Sequence, residues 1–425
     1  MIDTIFALSS GAPPAAIGVI RLSGPRAGEA LAALSGSLPQ ARRASVRPLR
    51  DGDGALLDQA LVLWLPGPGT VTGEDMAELH CHGGRAVIAA VEGALGAVPG
   101  LRRAKPGEFT RRAFANGRID LAEAEGLADL LSAETELQRR NALSLAGGAL
   151  SRQVDEWRER LLGLSAAVEA VLDFGDEDDV SGLPHDFGAR IAQLRDEIST
   201  WLSRPRAEAL KEGFRVVLAG PPNAGKSTLF NALVESEAAI TAPVAGTTRD
   251  VLMRSVGIAG VPFTFVDTAG LRDGAEDAIE AIGVERARDA LDLADLVLWL
   301  GPQGEGPIGA WEIEAQADRA NHPAKQAPRH RVSALSGEGM TVLRADLVAC
   351  ARDAMPRPGE AALNARQHER LSEAEAVLGF AAIVDDPLLV AENLRMARIA
   401  FDSLTGRATT EHMLNALFGR FCIGK

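Results

Sequence analysis

The 425-residue chain has few of the features that mark secreted, disulfide-bonded or membrane-spanning proteins. Its three cysteines, Cys81, Cys350 and Cys422, are odd in number and far apart, which argues against a disulfide framework. No run of about 18 apolar residues occurs, and Met1-Ile2-Asp3-Thr4 lacks a basic flank, so neither a membrane span nor a signal peptide is predicted. We therefore expect a cytoplasmic protein without a membrane partner.

The net charge of −14 argues against a nucleic-acid partner, but the charge is unevenly distributed. Residues 1–120 contain 13 Lys and Arg against 11 Asp and Glu, whereas the remainder contains 31 against 47. The acidic excess therefore lies beyond the first part of the chain. Basic clusters such as Arg102-Arg103-Lys105 and Arg111-Arg112 can meet phosphate locally, although such clusters are more often solvated faces.

The length exceeds one ordinary hydrophobic core and predicts about three domains. Short apolar strands from Ile17 to Leu22 and from Ala60 to Leu65, with Gly/Pro loops and a helix from Arg85 to Leu95, predict an α+β domain over residues 1–118. No internal repeat or low-complexity segment interrupts this organisation.

The rest of the chain alternates between helical and mixed patterns. Helical spacing predicts a first helical part over 119–212, alternating strands and helices predict an α/β domain over 213–350, and a second helical part follows over 351–425. Because helices flank the α/β block on both sides, we predict one helical domain into which the α/β domain is inserted.

The most informative motif is Gly220-Pro221-Pro222-Asn223-Ala224-Gly225-Lys226-Ser227-Thr228, a complete phosphate-binding loop. The apolar run Phe214 to Ala219 precedes it and the helical segment Leu229 to Val234 follows it, as the motif requires. Glycines at both ends let backbone N–H groups surround phosphates, Lys226 reaches the terminal phosphates, and the Ser227 hydroxyl binds magnesium. The motif predicts a nucleotide-binding protein.

Two further motifs follow in the order that a GTP-hydrolysing switch needs. Gly246-Thr247-Thr248-Arg249-Asp250 is a polar segment in which Thr248 can offer a hydroxyl to the same magnesium. Val261 to Val266 reads as a buried strand ending in Asp267-Thr268-Ala269-Gly270, where Asp267 would hold magnesium through water and the Gly270 amide would touch the terminal phosphate. Either motif alone could be a simple turn. The phosphate loop followed by both motifs, however, predicts an α/β P-loop GTPase domain that binds GTP and magnesium.

The usual guanine-reading motif, Asn-Lys-x-Asp, is missing. The nearest match is Ala315-Gln316-Ala317-Asp318, in which only the aspartate is kept. Asp318 can still accept both guanine N–H donors, and Ser333-Ala334-Leu335 matches the loop that offers a backbone amide to the guanine oxygen. The alternative is that Asp318 lies on a solvated helix and guanine is read poorly.

The residues predicted to contact the nucleotide and its ions are Asn223, Ala224, Gly225, Lys226, Ser227, Thr228, Thr247, Thr248, Asp267, Thr268, Ala269, Gly270, Asp318, Ser333 and Ala334.

Motifs near both ends extend over nearly the whole chain. They are Asp3-Thr4-Ile5, Ile20-Arg21-Leu22-Ser23-Gly24, Thr72-Gly73-Glu74-Asp75, Glu78-Leu79-His80-Cys81-His82-Gly83-Gly84, Pro106-Gly107-Glu108-Phe109-Thr110, Arg112-Ala113-Phe114, Asn116-Gly117-Arg118 and Phe421-Cys422-Ile423-Gly424-Lys425. With the phosphate loop, they make the chain resemble the bacterial family of tRNA-modification GTPases known as MnmE (TrmE), which acts on the wobble uridine.

The resemblance implies a homodimer whose N-terminal domain is similar to folate-binding domains and mediates dimerisation. The family works with an FAD-containing partner in a hetero-oligomer and adds a carboxymethylaminomethyl or aminomethyl-type group to tRNA. A tetrahydrofolate derivative, in its 5-formyl or methylene form, supplies the one-carbon unit. Arg21, Glu78, Arg118 and Lys425 match the family's folate-contacting positions, with Arg118 standing where relatives can carry lysine.

The resemblance also implies how hydrolysis occurs without the usual glutamine, since Leu271 and Arg272 follow Gly270. Glu280 would position the attacking water; without the family, it ranks no higher than Glu276 or Glu285 as one of several solvated acids. Potassium would replace an arginine finger, and it would be bound by the Asn223 side chain and by loop carbonyls when two G domains meet. The potassium and magnesium ligands implied are Asn223, Ser227, Ala242, Val244, Thr247 and Thr248.

Several alternatives remain at this point. His80, Cys81 and His82 suggest zinc, but neighbours on an extended segment point to opposite faces and no second ligand pair lies nearby. Cys422 is either a small buried terminal residue or a functional one. A ribosome-assembly or other regulatory GTPase would share the phosphate loop, but it would not need the N-terminal motifs or the Cys-Ile-Gly-Lys end.

Overall fold

The protein is described by a computed structural model that covers residues 3–174, 182–235, 252–268, 289–320, 322, 324–408 and 411–424. The chain forms two compact units. One contains Met1–Ala128 together with Phe401–Lys425, and the other contains Asp129–Ala400. Among the described residues, no helix has the length and apolar character needed to cross a membrane.

The N-terminal region mixes strands and short helices. Its elements are β1 (Thr4–Leu8), β2 (Ile17–Ser23), α1 (Ala27–Ser35), β3 (Ser45–Arg50), β4 (Leu56–Leu65), β5 (Met76–His82), α2 (Arg85–Ala97), β6 (Leu101–Arg103), α3 (Glu108–Ala115) and α4 (Leu121–Leu131). The described strands form a sheet in the order β3-β4-β5-β2-β1-β6, with only the β1–β6 pair parallel. The predicted strands and helix of this region are confirmed, and its α+β character with them.

Helices and a second sheet make up the middle of the chain. They are α5 (Glu136–Ala146), α6 (Ala149–Phe174), α7 (Phe187–Leu202), α8 (Ala207–Glu212), β7 (Phe214–Ala219), α9 (Lys226–Glu235), β8 (Leu252–Ile258), β9 (Val261–Asp267), β10 (Leu296–Trp299), β11 (Trp311–Glu314), β12 (His330–Arg331) and α10 (Met340–Ala354). The C-terminal helices are α11 (Ala365–Ala381), α12 (Pro387–Thr405) and α13 (Glu411–Phe418).

Helices from before and after the second sheet pack together. Helix α7 lies against α11, and Arg195 Nε donates to Glu375 Oε1 at 2.6 Å across this contact. On the other side of α7, the indole rings of Trp157 and Trp201 meet edge to face at 6.0 Å. Helices from both flanks of the α/β block therefore pack together within one compact unit, as the prediction of one helical domain requires. The predicted boundaries at residues 118, 212 and 350 stay predictions.

The second sheet places the phosphate loop at its centre. Its described strands run in the order β12-β11-β10-β7-β9-β8, with all neighbours parallel except the β8–β9 hairpin at the edge. Strand β7 is nearly all apolar and buried, as expected for a central parallel strand covered on both faces. The loops after β7, β9 and β11 therefore lie along the same edge of the sheet, where ligands bind in such folds.

The C-terminal segment belongs to the same compact unit as the N-terminal sheet. Gly107 shows how closely it approaches, because a Cβ there would lie 2.1 Å from the Phe418 carbonyl oxygen. Gly424 likewise leaves no room for a side chain against the Leu8 carbonyl oxygen. Both glycines adopt positive φ angles, so other residues would be strained there as well as obstructed.

Candidate functional site

The phosphate loop turns sharply between β7 and α9. Gly220 has a φ angle of 147°, and a Cβ there would lie 2.9 Å from the Gly301 amide nitrogen. Asn223 has a φ angle of 63°, a left-handed conformation that asparagine tolerates better than most residues. Helix α9 starts at Lys226, so the amides of its first turn face the loop, and this arrangement suits bound phosphate.

Lys226 is almost completely buried beneath the loop. Its Nζ donates to the carbonyl oxygens of Gly220 at 2.9 Å and Pro221 at 2.8 Å. An ammonium group so far from water requires negative or carbonyl partners. The side chain is thus positioned as a fixed cation at the floor of the loop, consistent with a contact to terminal phosphates.

Ser227 and Asp267 bring two oxygen groups together beside the loop. The Ser227 hydroxyl donates to Asp267 Oδ2 at 2.6 Å, and the Asp267 side chain is fully buried at the end of β9. A hydroxyl and a carboxylate are the oxygen ligands that magnesium prefers, so these residues fit a magnesium site. Thr268 adjoins them and donates its hydroxyl to the Leu218 carbonyl at 2.8 Å, which joins the ends of β9 and β7.

The segment with Asp318 is a loop that follows β11 and is not part of a helix. The alternative of a solvated helix is therefore wrong; the reason is that the segment leaves a parallel strand and Gln316 turns it through a left-handed φ angle of 59°. Asp318 Oδ1 accepts a hydrogen bond from the Ser333 hydroxyl at 2.6 Å. This hydrogen bond is the main cause that lowers the pKa of Asp318, so the carboxylate is charged at neutral pH.

Asp318 and the phosphate-loop helix line one small cavity. Its walls include Gly225, Thr228, Leu229, Ala315, Gln316, Asp318, Arg319, Val332, Ala334 and Leu335. The Ser333 side chain is fully buried, and its hydroxyl also accepts from the Ser336 amide at 3.1 Å. The structure therefore brings the predicted base-reading residues Asp318, Ser333 and Ala334 to the same place as the phosphate loop.

His322 supports this base-reading segment, and the sequence analysis missed it. Its Nε2 lies 2.7 Å from Glu314 Oε1, and its Nδ1 lies 2.8 Å from the Arg319 carbonyl oxygen. Both ring nitrogens thus face acceptors, and only an imidazolium donates from both. The hydrogen bond that His322 donates to Glu314, followed by the one that it donates to the Arg319 carbonyl oxygen, raises the pKa of His322 despite the nearby Arg331 charge.

A second group of candidate residues lies on the N-terminal sheet. Arg21 on β2 and Glu78 on β5 face each other in register, and Arg21 donates from Nε and Nη2 to Glu78 Oε1 at 3.1 and 2.9 Å. His80 Nε2 lies 3.2 Å from Glu78 Oε2. A carboxylate accepts about four hydrogen bonds, so beside these three contacts Glu78 retains capacity for one further N–H donor, such as that of a pterin.

Other candidates of this region lie in different surroundings. Arg118 is exposed and its stem lies against the turn at Gly73, where a Cβ would be 3.2 Å from Arg118 Cγ. Cys81 is buried in the sheet, and burial raises the pKa of its thiol to about 12, whereas His82 Nδ1 lies 2.7 Å from Asp58 Oδ1. The Cys422 side chain is exposed, so the interpretation as a buried terminal residue is wrong.

Eight candidate residues lie outside the described parts of the chain. They are Ala242, Val244, Thr247, Thr248, Ala269, Gly270, Glu280 and Lys425. Their predicted roles stay predictions from the sequence.

Comparison with known proteins gives the same picture over the whole length. A model described as "GTP-binding protein TrmE N-terminus" matches residues 4–118, and one described as "MnmE helical domain" matches residues 121–422. The chain belongs to the family of tRNA modification GTPases called MnmE. The proposed resemblance is confirmed, and so is the predicted fold class of an α+β domain, a helical domain and an inserted P-loop GTPase domain.

Individual MnmE relatives agree in length as well as sequence. The protein named "tRNA modification GTPase MnmE" from Erythrobacter litoralis is 66% identical over 423 residues and covers 100% of both chains. The protein of the same name from Novosphingobium aromaticivorans is 65% identical, again over 100% of both chains. The G domain of the T. maritima FeoB iron transporter is 26% identical, covering 32% of this chain and 98% of that one, with a TM-score of 0.24 that is too low to support any argument.

The position of Asp318 allows a test of base reading in this MnmE chain. We expect Asp318→Asn to shift the preference between GTP and XTP toward XTP by at least about ten-fold. The NH₂ group of asparagine would face the donor NH₂ group of guanine, whereas xanthine has an acceptor carbonyl there. Nucleotide competition against a fluorescent GTP analogue measures the ratio. Asp353→Asn, an exposed aspartate on α10, is the matched control. A GTP-to-XTP ratio equal to that of the wild type would show that the base is read elsewhere.

Glu78 can be tested in the same MnmE chain with a reduced folate. We expect Glu78→Ala to weaken binding of 5-formyltetrahydrofolate by about ten-fold, because the variant loses a charged acceptor and leaves Arg21 without its cross-strand partner. Isothermal titration calorimetry measures the change. Glu29→Ala, which removes an exposed glutamate paired with Arg26, should bind as the wild type does. Unaltered binding by Glu78→Ala would remove Glu78 from the folate site.

Proposed function

We propose that this protein hydrolyses GTP and that hydrolysis serves the modification of the wobble uridine of certain tRNAs. The observation that carries the proposal is the pairing of a complete phosphate loop with Ser227 and Asp267 beside it, in a chain that matches MnmE relatives from end to end. Phosphate loops occur in many GTPases, whereas a ribosome-assembly or other regulatory GTPase would not need the N-terminal motifs or the Cys-Ile-Gly-Lys end.

The chain's own residues have distinct parts in the proposed hydrolysis. Lys226 would neutralise charge on the terminal phosphates, and Ser227 and Asp267 would hold magnesium, directly and through water. Magnesium would neutralise the charge that grows on the phosphate oxygens. Glu280 would orient the attacking water, and Thr248 and Gly270 would sense the terminal phosphate. The buried position of Lys226 and the oxygen pair at Ser227 support this assignment.

Potassium is the proposed activator in place of an arginine finger. Asn223 is exposed in the phosphate loop, and its backbone has a left-handed φ angle of 63°. Its amide oxygen, with carbonyls of Ala242, Val244 and Thr247, would bind the cation. A second G domain would complete this loop, so that hydrolysis would depend on dimerisation. Potassium would supply positive charge close to the transition-state phosphates.

The modification step would require groups from outside the chain. An FAD-containing partner and a tetrahydrofolate one-carbon unit would add the aminomethyl-type group, with Arg21, Glu78, Arg118 and Lys425 of a dimeric N-terminal domain holding the folate. The Arg21–Glu78 pair supports this role, because it presents both a cation and a carboxylate on one face of the sheet. A pterin ring and its glutamate tail need these two kinds of group.

The potassium proposal predicts a salt effect. We expect GTP turnover to be at least about ten-fold faster in potassium than in sodium at equal ionic strength, because the site places a cation where transition-state charge develops. Phosphate release by the purified full-length protein measures the rate. Asn223→Ala should reduce the difference between the two salts, while Asn231→Ala, on the following helix, should preserve it. Equal rates of the wild type in both salts would refute the cation mechanism.

The tRNA function is tested by mass spectrometry of wobble uridine in cells of the source organism. We expect the modification to disappear when the gene is deleted and to return with the wild-type gene, but not with the Lys226→Ala variant. Return of the modification with Lys226→Ala would separate hydrolysis from modification. Persistence of the modification in the deletion strain would favour a different regulatory GTPase.

A further inference from the structure

Gln316 connects the base-reading segment, residues 315–319, to the phosphate loop. Its Nε2 donates to the Asn223 carbonyl oxygen at 3.1 Å, across 93 positions of sequence. Its Oε1 accepts from Arg319 Nη1 at 3.0 Å within the segment itself. Because the guanidinium can only donate and the carbonyl can only accept, these two partners determine which way the Gln316 amide faces.

The stem of Gln316 is also packed against the phosphate loop. A Cβ added to Gly225 would lie 3.1 Å from Gln316 Nε2 and 3.3 Å from Gln316 Cγ, so the side chain passes directly over this glycine. Gly225 has a φ angle of 93°, and both its conformation and this close contact favour glycine. Gln316, Gly225 and Asp318 line the same small cavity.

We infer that Gln316 clamps the base-reading segment onto the phosphate loop and is the positioning residue that sets Asp318 at the correct distance from bound phosphates. The inference rests on the proposed function, since it concerns the same GTP site. Gln316 thus braces the base-reading segment, a role for which the sequence motif offered no residue. The Asn223 carbonyl is the second half of the clamp. Asp318 also holds Ser333, so the clamp fixes both sides of the base cavity.

The clamp has a consequence for specificity. A nucleotide binds the phosphate loop through its phosphates and the 315–319 segment through its base, and both groups must be at the right separation at the same time. A loose segment loses conformational entropy each time that a nucleotide binds, and this loss weakens binding. A clamp that is already formed avoids the loss. The effect should appear in GTP binding and be absent for a ligand that consists of phosphates alone.

The sharpest test replaces Gln316 by glutamate, which has the same size. Gln316→Glu loses the donor to the Asn223 carbonyl and puts a carboxylate oxygen against it, while Arg319 keeps its acceptor. We expect the dissociation constant for GTP to rise about ten-fold and that for inorganic tripolyphosphate to change by less than about two-fold. Gln316→Lys, which still donates to the carbonyl, should remain within about three-fold of the wild type for GTP.

The measurement is calorimetric titration of the full-length protein with GTP, ATP and inorganic tripolyphosphate in potassium and magnesium. Gln326→Ala, an exposed glutamine of the same domain, is the control and should bind all three as the wild type does. The GTP-to-ATP preference should fall in Gln316→Glu, because Asp318 is no longer held in place.

The outcomes separate the clamp from the proposed function. If the wild type binds GTP in a manner that Lys226→Ala abolishes, but Gln316→Glu binds GTP equally well, the clamp is refuted and the GTP site stands. If Gln316→Glu weakens tripolyphosphate as much as GTP, Gln316 only supports the phosphate loop, and the clamp is again refuted. If the wild type itself fails to bind GTP, the proposed function fails and the clamp with it.

Discussion

Lys226→Ala should reduce GTP turnover to below about one-hundredth of the wild-type rate, as expected for loss of a preorganised charge at the terminal phosphates. The structure adds a second reason, because the Nζ of Lys226 also donates to the carbonyls of Gly220 and Pro221. Removal of the side chain leaves these carbonyls without that donor, so the conformation of the loop is weakened as well as its charge. Phosphate release by purified protein measures the loss.

The control for this variant is Lys211→Ala, which removes a half-exposed lysine paired with Asp129 in the same compact unit. It should hydrolyse GTP at the wild-type rate. Hydrogen exchange of amides in β7 and β9 of Lys226→Ala should stay close to that of the wild type, which distinguishes lost chemistry from lost folding. Normal turnover by Lys226→Ala would overturn the assignment of the phosphate loop as the hydrolytic site.

Arg112→Ala should destabilise the N-terminal unit by about 3–5 kcal/mol, the cost of leaving buried charges without their partner. The Arg112 side chain is completely buried, with Nη1 donating to Glu74 Oε2 and to the Asp3 carbonyl, both at 3.0 Å. Its Nη2 donates to Asp3 Oδ1 at 3.0 Å and approaches Glu108 Oε1 at 3.4 Å. One guanidinium thus joins the N-terminus, the Glu74 turn and helix α3.

Hydrogen exchange of amides in β1 and β2 measures this stability within the full-length chain. A global unfolding experiment is unsuitable, because a chain of several domains need not unfold in a single transition. Arg111→Ala is the matched control, since the neighbouring Arg111 forms a surface pair with Glu411 and its loss should cost less than about 1 kcal/mol. Arg112→Lys should lose an amount of stability between those of the two alanine variants, because the ammonium group of lysine cannot replace the planar, forked guanidinium group. Unchanged protection in Arg112→Ala would refute the structural role of this cluster.

The same cluster predicts sensitivity to acid. Burial raises the pKa of Glu108 and of Asp3, but hydrogen bonds from Arg102 and the charges of Arg102 and Arg112 outweigh it and lower both pKa values. A carboxyl group with a lowered pKa stabilises the folded state at pH values above its ordinary pKa, which is near 4. It loses that contribution as the pH falls through its pKa in the folded state. Protection of β1 and β2 should therefore decrease below about pH 4 in the wild type.

Local pattern was sufficient for the elements that depend on neighbours in sequence. The strands at Ile17, Phe214 and Val261 and the helix at Arg85 appear where apolar periodicity predicted them. The phosphate loop needs a fixed spacing of glycine, lysine and serine within nine positions, so it too is readable from sequence. The same holds for Ser227 and Asp267, because each belongs to a motif of fixed spacing.

Contacts between distant residues could not be predicted in this way. Arg112 looked like one member of a basic surface cluster, yet it is buried, because acidic groups from three separated segments meet around it. From the sequence alone, the segment around Asp318 could be a helix or a loop. The alternatives were decided only when β11, the strand that precedes it, was placed in the sheet beside β10.

The amino-acid sequence was therefore enough to establish the family and the P-loop domain and to predict the ligands of the phosphates, since each depends on a short motif or on resemblance along the chain. The way in which the guanine side of the site is held depends on packing between segments. The clamp of Gln316 on Asn223 joins residues 93 positions apart, and the bonds of His322 to Glu314 and Arg319 require a loop to fold back on itself. Hydrogen bonds of this kind have no local periodicity, so only the folded chain brings their donors and acceptors within 3 Å or so of each other.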